Sequence, residues 1–540
     1  MELEGLHEKQ RHYKTSTIFL VCGVSWGAAA YGYSASVIST TIAQPTFLKY
    51  MGLDGPNSTQ LLGAANALFF VGGVFGSCMV AAFADKYGRK AVIGGGAAVV
   101  LVSTALLAAS VHIAMFIVFR FFAGFGGYAA LTGVPVWVAE IVPPKHRGIL
   151  SDINPIFINI GYVSASWVGV GFFYLDNESA WRGPIALGCL PPLLCLISLW
   201  FVPESPRYLL LQDRADEAWE IIRDLHSFHG DDLHSFHGDE SFAQREFHEM
   251  KTQILFDRSL SGGYRAIFKR PSYRKRALMT MGLIFTLVSS GVLVIGKRFL
   301  CKDYSTILYS QLGYNNKDQL LLQASWLIES FLMNLVALLI IDRLPRPTLI
   351  TIGLAGCVVV VSCEAALVAT YRDSGNKAGL GACVAFLYMF NVTYGCFLDG
   401  VTWWYTAEIF PTHLRAHGMT LNMAMYALTN IIWLQAAPTA FANIGWKYYL
   451  FFICITTVGT IIIWWTFPDT LNKPLEEVAQ LFGDNDLVVA YQDLAGRGNV
   501  TLAEVELQDK IATTTMDGKE HIRDHAKHEE FASSEGSKDK

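Results

Sequence analysis

The sequence predicts an all-α membrane protein of twelve transmembrane helices in two related halves, with both termini on the cytoplasmic side. Three observations predict it. Apolar runs of spanning length recur along the chain, charged motifs repeat at half-chain spacing, and lysine and arginine crowd into alternate links.

The apolar runs set the class. Hydrophobic residues make up 52% of the chain and charged residues only 16%, and mean hydropathy is +0.34. A water-soluble chain is normally about a quarter charged. Twelve runs fall near residues 17–38, 60–82, 91–111, 113–137, 152–173, 184–202, 277–296, 318–341, 347–370, 379–406, 417–439 and 446–467. About 20 residues of helix cross a ~30 Å hydrocarbon layer, and the 47 glycines suit close helix approach. The net charge of −5 decides nothing, because the placement of charge matters more than its sum.

The repeat divides the chain. Ala139-Glu140-Ile141 leads through Pro143 to Arg147-Gly148, and Ala407-Glu408-Ile409 leads through Pro411 to Arg415 and Gly418. Glutamate and arginine are seven residues apart in each copy, and the copies lie 268 residues apart (408 − 140). A second pair, Asp85-Lys86-Tyr87-Gly88-Arg89-Lys90 and Asp342-Arg343-Leu344-Pro345-Arg346-Pro347, is spaced by 257 (342 − 85). Charged motifs repeated at the ends of apolar runs suit a duplicated carrier whose halves grip each other on one side of the bilayer and then release.

Orientation follows from the positive charges, since short links rich in lysine and arginine stay in the cytoplasm. Lys86, Arg89 and Lys90 follow the second run, Lys145 and Arg147 follow the fourth, and the loop 203–276 holds twelve lysines or arginines. The link 297–317 runs against the trend with Lys297, Arg298, Lys302 and Lys317, but the other links outvote it. Asn57 and Asn177 then begin glycosylation sequons on outer links. Asn391 falls inside a span and Asn499 in the inner tail, so neither is expected to be used. Residues 1–13 are charged and lack an apolar core, so no cleaved signal peptide is expected. The predicted organisation is a cytoplasmic segment 1–16, a six-helix unit 17–202, a linker 203–276 with short amphipathic helices, a second unit 277–467 and a cytoplasmic tail 468–540 that ends disordered.

The ten cysteines lie almost entirely in or beside spans, only Cys301 being clearly on an outer link, so no disulfide framework is expected. The middle loop duplicates Leu225-His226-Ser227-Phe228-His229-Gly230-Asp231 as Leu233-His234-Ser235-Phe236-His237-Gly238-Asp239. Its histidines could bind metal, but slippage in a solvated loop is the simpler reading, and no metal or other cofactor is expected.

Further motifs give a resemblance. Arg120-Phe121-Phe122-Ala123-Gly124-Phe125-Gly126 matches a fourth-helix RxxxGxG pattern, and Val134-Pro135-Val136-Trp137 leads into Glu140. Trp181-Arg182-Gly183-Pro184 and Pro203-Glu204-Ser205-Pro206-Arg207 bracket the sixth run, and Pro468-Asp469-Thr470 precedes Leu475-Glu476-Glu477. In this order they resemble the sugar-porter branch of the major facilitator superfamily (MFS) over residues 17–482. The resemblance implies two six-helix bundles around a central cavity, and it does not name the substrate.

It also implies roles. Asp85, Arg89, Glu140 and Arg147, with Asp342, Arg346, Glu408 and Arg415, would form a cytoplasmic ion-pair gate. Partly buried pairs suit a gate because desolvation offsets most of their attraction. Plain positive-inside anchoring would not call for glutamates at matching offsets. The second copy is degraded, because Pro345 and Pro347 replace the expected glycine and basic residue.

The sugar wall departs from the family pattern. Pro155 stands at the fifth-helix glutamine, and Leu287, Val288 and Leu293 stand at seventh-helix amides. Trp403 and Asn430 match the family aromatic and asparagine, while the two prolines before Trp403 become Gly400 and Thr402. At roughly 0.5–1.5 kcal/mol net per hydrogen bond, the missing anchors would weaken monosaccharide binding by several kcal/mol unless replaced. Ser289, Ser290, Asn334, Asn159 and Tyr33 are candidate replacements.

Coupling differs too. Ser34 in Gly32-Tyr33-Ser34 stands where proton-driven members carry an aspartate, so that route is absent and Ser34 is at most a polar contact. Arg120 then needs a partner, which could be carbonyls and water or an anionic substrate. Carboxylates occur elsewhere in spans, at Glu329, Glu364 and Asp399. Asp399, one turn before Trp403, could take a proton, contact the solute or cap a helix break at Gly400; it, Glu329 and Arg120 are the coupling candidates. Glu364 reads as packing.

The function expected is secondary active or facilitative transport of a small solute by alternating access, with a sugar or sugar-like substrate. The alternative is a carrier or exporter of a non-sugar small molecule such as an organic acid or specialised metabolite, and a non-transporting nutrient sensor ranks last. There is no Walker motif, phosphate loop or catalytic set, so the chain is not expected to be an enzyme. The expected partners are the solute, a proton as candidate co-substrate and the lipid bilayer, with no nucleic acid. The protein is expected to be a monomeric multi-pass protein of the plasma membrane.

Overall fold

The computed structural model describes residues 15–53, 58–142, 150, 152–226, 243–244, 247–248, 250–255, 257, 260, 263–292, 316–341, 343–371, 376–471 and 475–484. Twelve membrane helices follow one another: α1 (Thr15–Ile42), α2 (Ser58–Tyr87), α3 (Arg89–Ala108), α4 (Ile113–Ile141), α5 (Ile153–Phe172), α6 (Ser179–Leu187 continued by Leu190–Phe201), α7 (Pro271–Val288), α8 (Asn316–Ile340), α9 (Arg346–Tyr371), α10 (Lys377–Phe397 continued by Val401–Ile409), α11 (Thr412–Ile444) and α12 (Tyr448–Thr466). Ten of these spans are long and apolar enough to cross a bilayer on composition alone. The other two are more polar. α7 opens on Arg274, Lys275 and Arg276, and α11 carries His417, Thr420, Asn422, Thr429 and Asn430. Both are held inside the bundle by neighbours rather than by hydropathy.

Small residues let the helices of the first half touch backbone to backbone. A Cβ added at Gly124 of α4 would lie 1.8 Å from the carbonyl oxygen of Phe69 in α2, and one added at Gly72 would lie 2.0 Å from that of Phe121. Only glycine fits such a crossing, and dispersion between the two backbones replaces the hydrophobic drive that lipid cannot supply. Interruptions fall where the sequence allows them. Pro191 and Pro192 restart α6, and α10 breaks over Leu398–Gly400.

The buried apolar residues sort by half. One large cluster is built from residues 283–463, including Leu287, Leu354, Phe390, Tyr405 and Tyr449. Another joins Val24, Ile93, Val134, Trp137 and Leu199 of the first half. The cluster around Phe47, Phe69, Tyr128 and Trp181 also takes in Met423 and Ala427 of α11, and so ties the halves together. Large aromatics face outward where α1 begins and where α6 and α12 finish: Phe19, Trp200, Phe201 and Trp465 are each more than 70% exposed. Such rings at one end of a bundle suit the headgroup level of a bilayer.

Between the halves, helix Ala215–His226 covers the first predicted amphipathic stretch, and its Ala218 and Ile222 pack with Leu209, Met250 and Ile254. Most of the duplicated histidine segment, together with Cys301, Asn57, Arg147, Asp342 and the tail beyond residue 484, lies outside the described residues.

The α2–α4 crossing makes a direct prediction. Gly124→Leu should destabilise the detergent-solubilised protein by more than the ~1–3 kcal/mol typical of overpacking, and so lower its thermal midpoint, because the clash is with backbone. Gly171→Ala, which meets nothing within 4 Å, should leave it unchanged. Fluorescence-detected size exclusion after heating reads both.

Candidate functional site

Two constellations of charge sit at the end of the bundle where α2, α4 and α10 finish. In the first, Arg89 opens α3 and aims back at α4. Its Nε donates to Glu140 Oε2 at 2.9 Å and its Nη2 to Oε1 at 3.0 Å, while Nη1 reaches the carbonyl of Ala84 at 3.0 Å. Asp85 lies 3.4 Å from the same guanidinium, and the Ser205 hydroxyl donates to Glu140. In the second, Arg346 opens α9 and reaches Glu408 of α10 at 3.7 Å, its Nη1 donating to the carbonyl of Ile341 at 2.5 Å. The Thr470 hydroxyl donates to Glu408 at 2.6 Å. Each arginine therefore caps the carbonyl five residues before it, pairs with the glutamate of the other motif in its own half, and shares that glutamate with a hydroxyl after the last helix of its half. Pro203-Glu204-Ser205 and Pro468-Asp469-Thr470 are the same device: Glu204 accepts from the Lys90 amide at 3.3 Å and Asp469 from the Arg346 amide at 3.2 Å.

Arg415 departs from this pattern. The sequence grouped it with the gate, but among the described residues it forms no ion pair within 4 Å and lines the central cavity. Glu408, Glu140 and Asp257 act on it at longer range, against Arg207.

That cavity, about 190 Å³, lies between the halves and is walled by α1, α2, α4, α5, α8, α10 and α11. Its surface is mostly apolar, and the rings of Tyr31, Tyr162, Trp326, Tyr394, Trp403 and Tyr426 all face it. Trp403 meets Tyr426 edge to face at 5.4 Å. Asp399 sits on the wall at the break in α10. Its Oδ2 accepts from Asn334 Nδ2 of α8 at 3.0 Å and from Asn159 Nδ2 of α5 at 3.5 Å, so one carboxylate is held by an amide from each half. It caps no helix, for Gly400 is the residue before the second segment of α10 and no side chain caps that segment.

The break serves a second contact. Asp152, just before α5, accepts the Trp404 indole N–H at 2.9 Å. A Cβ at residue 400 would lie 2.6 Å from the same carboxylate oxygen, so glycine there lets the start of α5 enter the break in α10. The sequence reading passed over Asp152 and Trp404. An acidic residue at a span start beside a tryptophan-rich span was the available signal, but nothing local showed that the two meet 252 positions apart.

The other proposed contacts are distributed unevenly. Asn159, Asp399 and Trp403 line the cavity. Asn334 stands behind Asp399. Asn430 is fully buried and donates to the Tyr426 carbonyl at 2.7 Å. Ser289 accepts the Trp433 indole at 3.0 Å, and Ser290 donates to the Leu287 carbonyl at 2.7 Å. Tyr33 donates to the Pro184 carbonyl at 2.6 Å, within the first half. Ser289 and Tyr33 tie one helix segment to another, whereas Ser290 and Asn430 bond carbonyls three and four residues before them, and none of the four is on the cavity wall. Arg120 is buried; it donates to the Ser34 carbonyl at 2.7 Å and lies 4.4 Å over the Phe69 ring. That carbonyl and ring supply the partner its charge requires. Glu329 lies beside Asn391 at the α8–α10 contact, off the cavity wall, and Glu364 is buried in α9.

A family model described as sugar (and other) transporter matches residues 20–482. The chain belongs to the sugar (and other) transporter family. It is 28% identical over 476 residues to the MFS-type transporter criB of Aspergillus cristatus, covering 87% of this chain and 95% of that one. It is 26% identical over 474 residues to a high-affinity glucose transporter of Kluyveromyces lactis, covering 84% and 83%. Among solved structures, the proton:xylose symporter XylE bound to 6-bromo-6-deoxy-D-glucose superposes with a TM-score of 0.73 at 20% identity, over 87% of this chain and all of that one. The last likeness is one of fold. The chain is an integral, multi-pass membrane transporter of small solutes and not an enzyme.

Removing the Arg89 charge tests the first constellation of this family member. Its side chain is 6% exposed and that of Glu140 13%, so Arg89→Ala should destabilise by about 3–5 kcal/mol by stranding a buried carboxylate. Arg89→Leu combined with Glu140→Leu should recover most of the loss, and chemical denaturation in mild detergent measures both.

Proposed function

We propose that the protein is an alternating-access carrier whose two six-helix lobes, 17–202 and 277–467, rock about the central cavity. The two arginine–glutamate constellations belong to its cytoplasmic end, with both termini on that side and the plasma membrane as its site. The observation that carries this reading is the position of Asp399. It lies on the cavity wall and is bridged by Asn334 from one lobe and Asn159 from the other. A group that touches both lobes and the cavity at once is where solute occupancy can bias the lobe arrangement. Asp399 is the solute-contacting and coupling residue in this proposal, and Trp403 supplies the ring face.

A sugar or sugar-like solute is the first reading, on family grounds. A second reading, a non-sugar metabolite, is supported by the wall itself, where tyrosine and tryptophan rings outnumber the amides at Asn154, Asn159, Gln323 and Asn391. Uptake and efflux of a broad solute panel, in cells stripped of their own hexose carriers, separates the two. Growth restored on hexose supports the first, and altered accumulation of a non-sugar metabolite alone supports the second.

Asp399→Asn should lower transport roughly tenfold or more, in keeping with ~1.5–3 kcal/mol for a hydrogen bond to a charged group, and should flatten its pH dependence. Unchanged transport across pH would remove Asp399 from the mechanism. Orientation has its own test. Asn177 is exposed in the link between α5 and α6, so in an Asn57→Gln background Asn177→Gln should abolish the remaining glycosidase-sensitive gel shift if that link is extracellular.

A further inference from the structure

Asp399 is a membrane-embedded carboxylate that pairs with no cation among the described residues. Both amide donors converge on Oδ2, and Oδ1 takes no donor among the described residues. The groups facing it come from four helices. α5 presents Asn159 and Tyr162, α8 presents Asn334, α11 presents Tyr426, and its own helix presents Tyr394; the three tyrosines lie near enough to feel its charge. None is a lysine, arginine or histidine. The cavity also reaches Arg415, which forms no ion pair with Asp399 among the described residues. Two amide dipoles lessen the cost of a charge at this depth without cancelling it.

The surrounding rings point the same way. The faces of Tyr, Trp and Phe carry negative potential and attract cations, and Trp326, Trp403, Tyr162, Tyr394 and Tyr426 share the cavity with Asp399. A carboxylate within an aromatic wall recognises a positively charged organic group. A neutral sugar would leave the carboxylate uncompensated during the crossing.

A carrier passes through its occluded arrangement twice per cycle, once loaded and once empty, and the carboxylate needs neutralising on both passes. On the loaded pass a cationic solute does this; on the return pass a proton can. Resting on the carrier reading above, we propose that the transported solute is an organic cation exchanged one for one with a proton at Asp399. The Asp399 O–H bond breaks on the side where the cation arrives, and the proton enters that compartment. The carboxylate then carries the cation across, releases it, and takes a proton from the other compartment. One positive charge moves each way, with no net charge transfer and no oxidant or other reactant.

The test uses the full chain, purified and reconstituted in liposomes that contain a pH-sensitive dye. Trimethyl(2-phenylethyl)ammonium is the cationic probe, 3-phenylpropionate the anionic one and D-glucose the neutral one. The cation should enter the liposomes and make the lumen more alkaline, one proton leaving per cation that enters. Its binding, read by quenching of cavity tryptophan fluorescence, should weaken about tenfold per pH unit below the carboxylate's titration. Asp399→Asn should lose both signals and Asp399→Glu should keep both, with size exclusion confirming folded protein. The proposal is overturned if Asp399→Asn binds and moves the cation as the wild type does. It is equally overturned if D-glucose or 3-phenylpropionate is carried and the cation is not, a result that leaves the carrier reading standing. Transport of none of the three counts against both.

Discussion

Charge in a low-dielectric interior must find a partner, and that constraint organises this molecule from one end to the other. The buried ionic groups are resolved in several ways. Arg89 and Arg346 are surrounded by a carboxylate, a carbonyl and the reach of a hydroxyl-bearing loop. Arg120, deep in α4, makes do with a carbonyl and a ring face. Arg276, at the start of α7, bonds the Ile409 carbonyl at 2.9 Å and Asp484 at 2.6 Å, and so pins the segment after α12 beneath the second half. Where the cavity opens, Asp399 and Arg415 form no ion pair among the described residues.

This contrast separates scaffold from mechanism. A paired buried charge adds little net stability but defines one geometry, since breaking the pair is far costlier than never having made it. The two arginine–glutamate constellations are built within each half and not across them, so each braces its own half and neither ties the halves together. The hydrogen bonds that cross are lighter: the Asp152–Trp404 bond, the Asn159–Asp399 contact, and the Tyr264 hydroxyl shared between the Thr420 hydroxyl at 2.8 Å and the Cys78 carbonyl at 3.1 Å. Each is a single neutral or singly charged hydrogen bond worth about 0.5–3 kcal/mol, small enough to be exchanged in a cycle.

The fold was legible because its signals are local. Spans announce themselves by hydropathy, and the duplicated glutamates and arginines survive at matching offsets even where Pro345 and Pro347 have replaced the expected residues. The arginine–glutamate contact persists in the second half despite that erosion, because Arg346 reaches the backbone of Ile341 and the side chain of Glu408, neither of which the two prolines replace. The site was half legible. A carboxylate in a span is conspicuous, so Asp399 was found, but polarity alone could not tell Asn159 on the wall from Ser289, Ser290 and Tyr33 inside the helix contacts. Which face of a helix turns to the cavity is set by neighbours hundreds of residues away. For the same reason Asp152 and Trp404 stayed hidden, and Arg415 was placed with a gate whose glutamate is taken by Arg346.

Double electron–electron resonance across the lobes tests the central claim most directly. Spin labels at Tyr87 and Leu344 report the end that holds the arginine–glutamate constellations, and labels at Leu175 and Lys377 report the opposite end; all four positions are exposed. In liposomes, shifting the pH or adding a transported solute should lengthen the distance at one end while shortening it at the other. Distances that stay fixed at both ends, or that lengthen together, would contradict two rigid lobes rocking about a shared cavity.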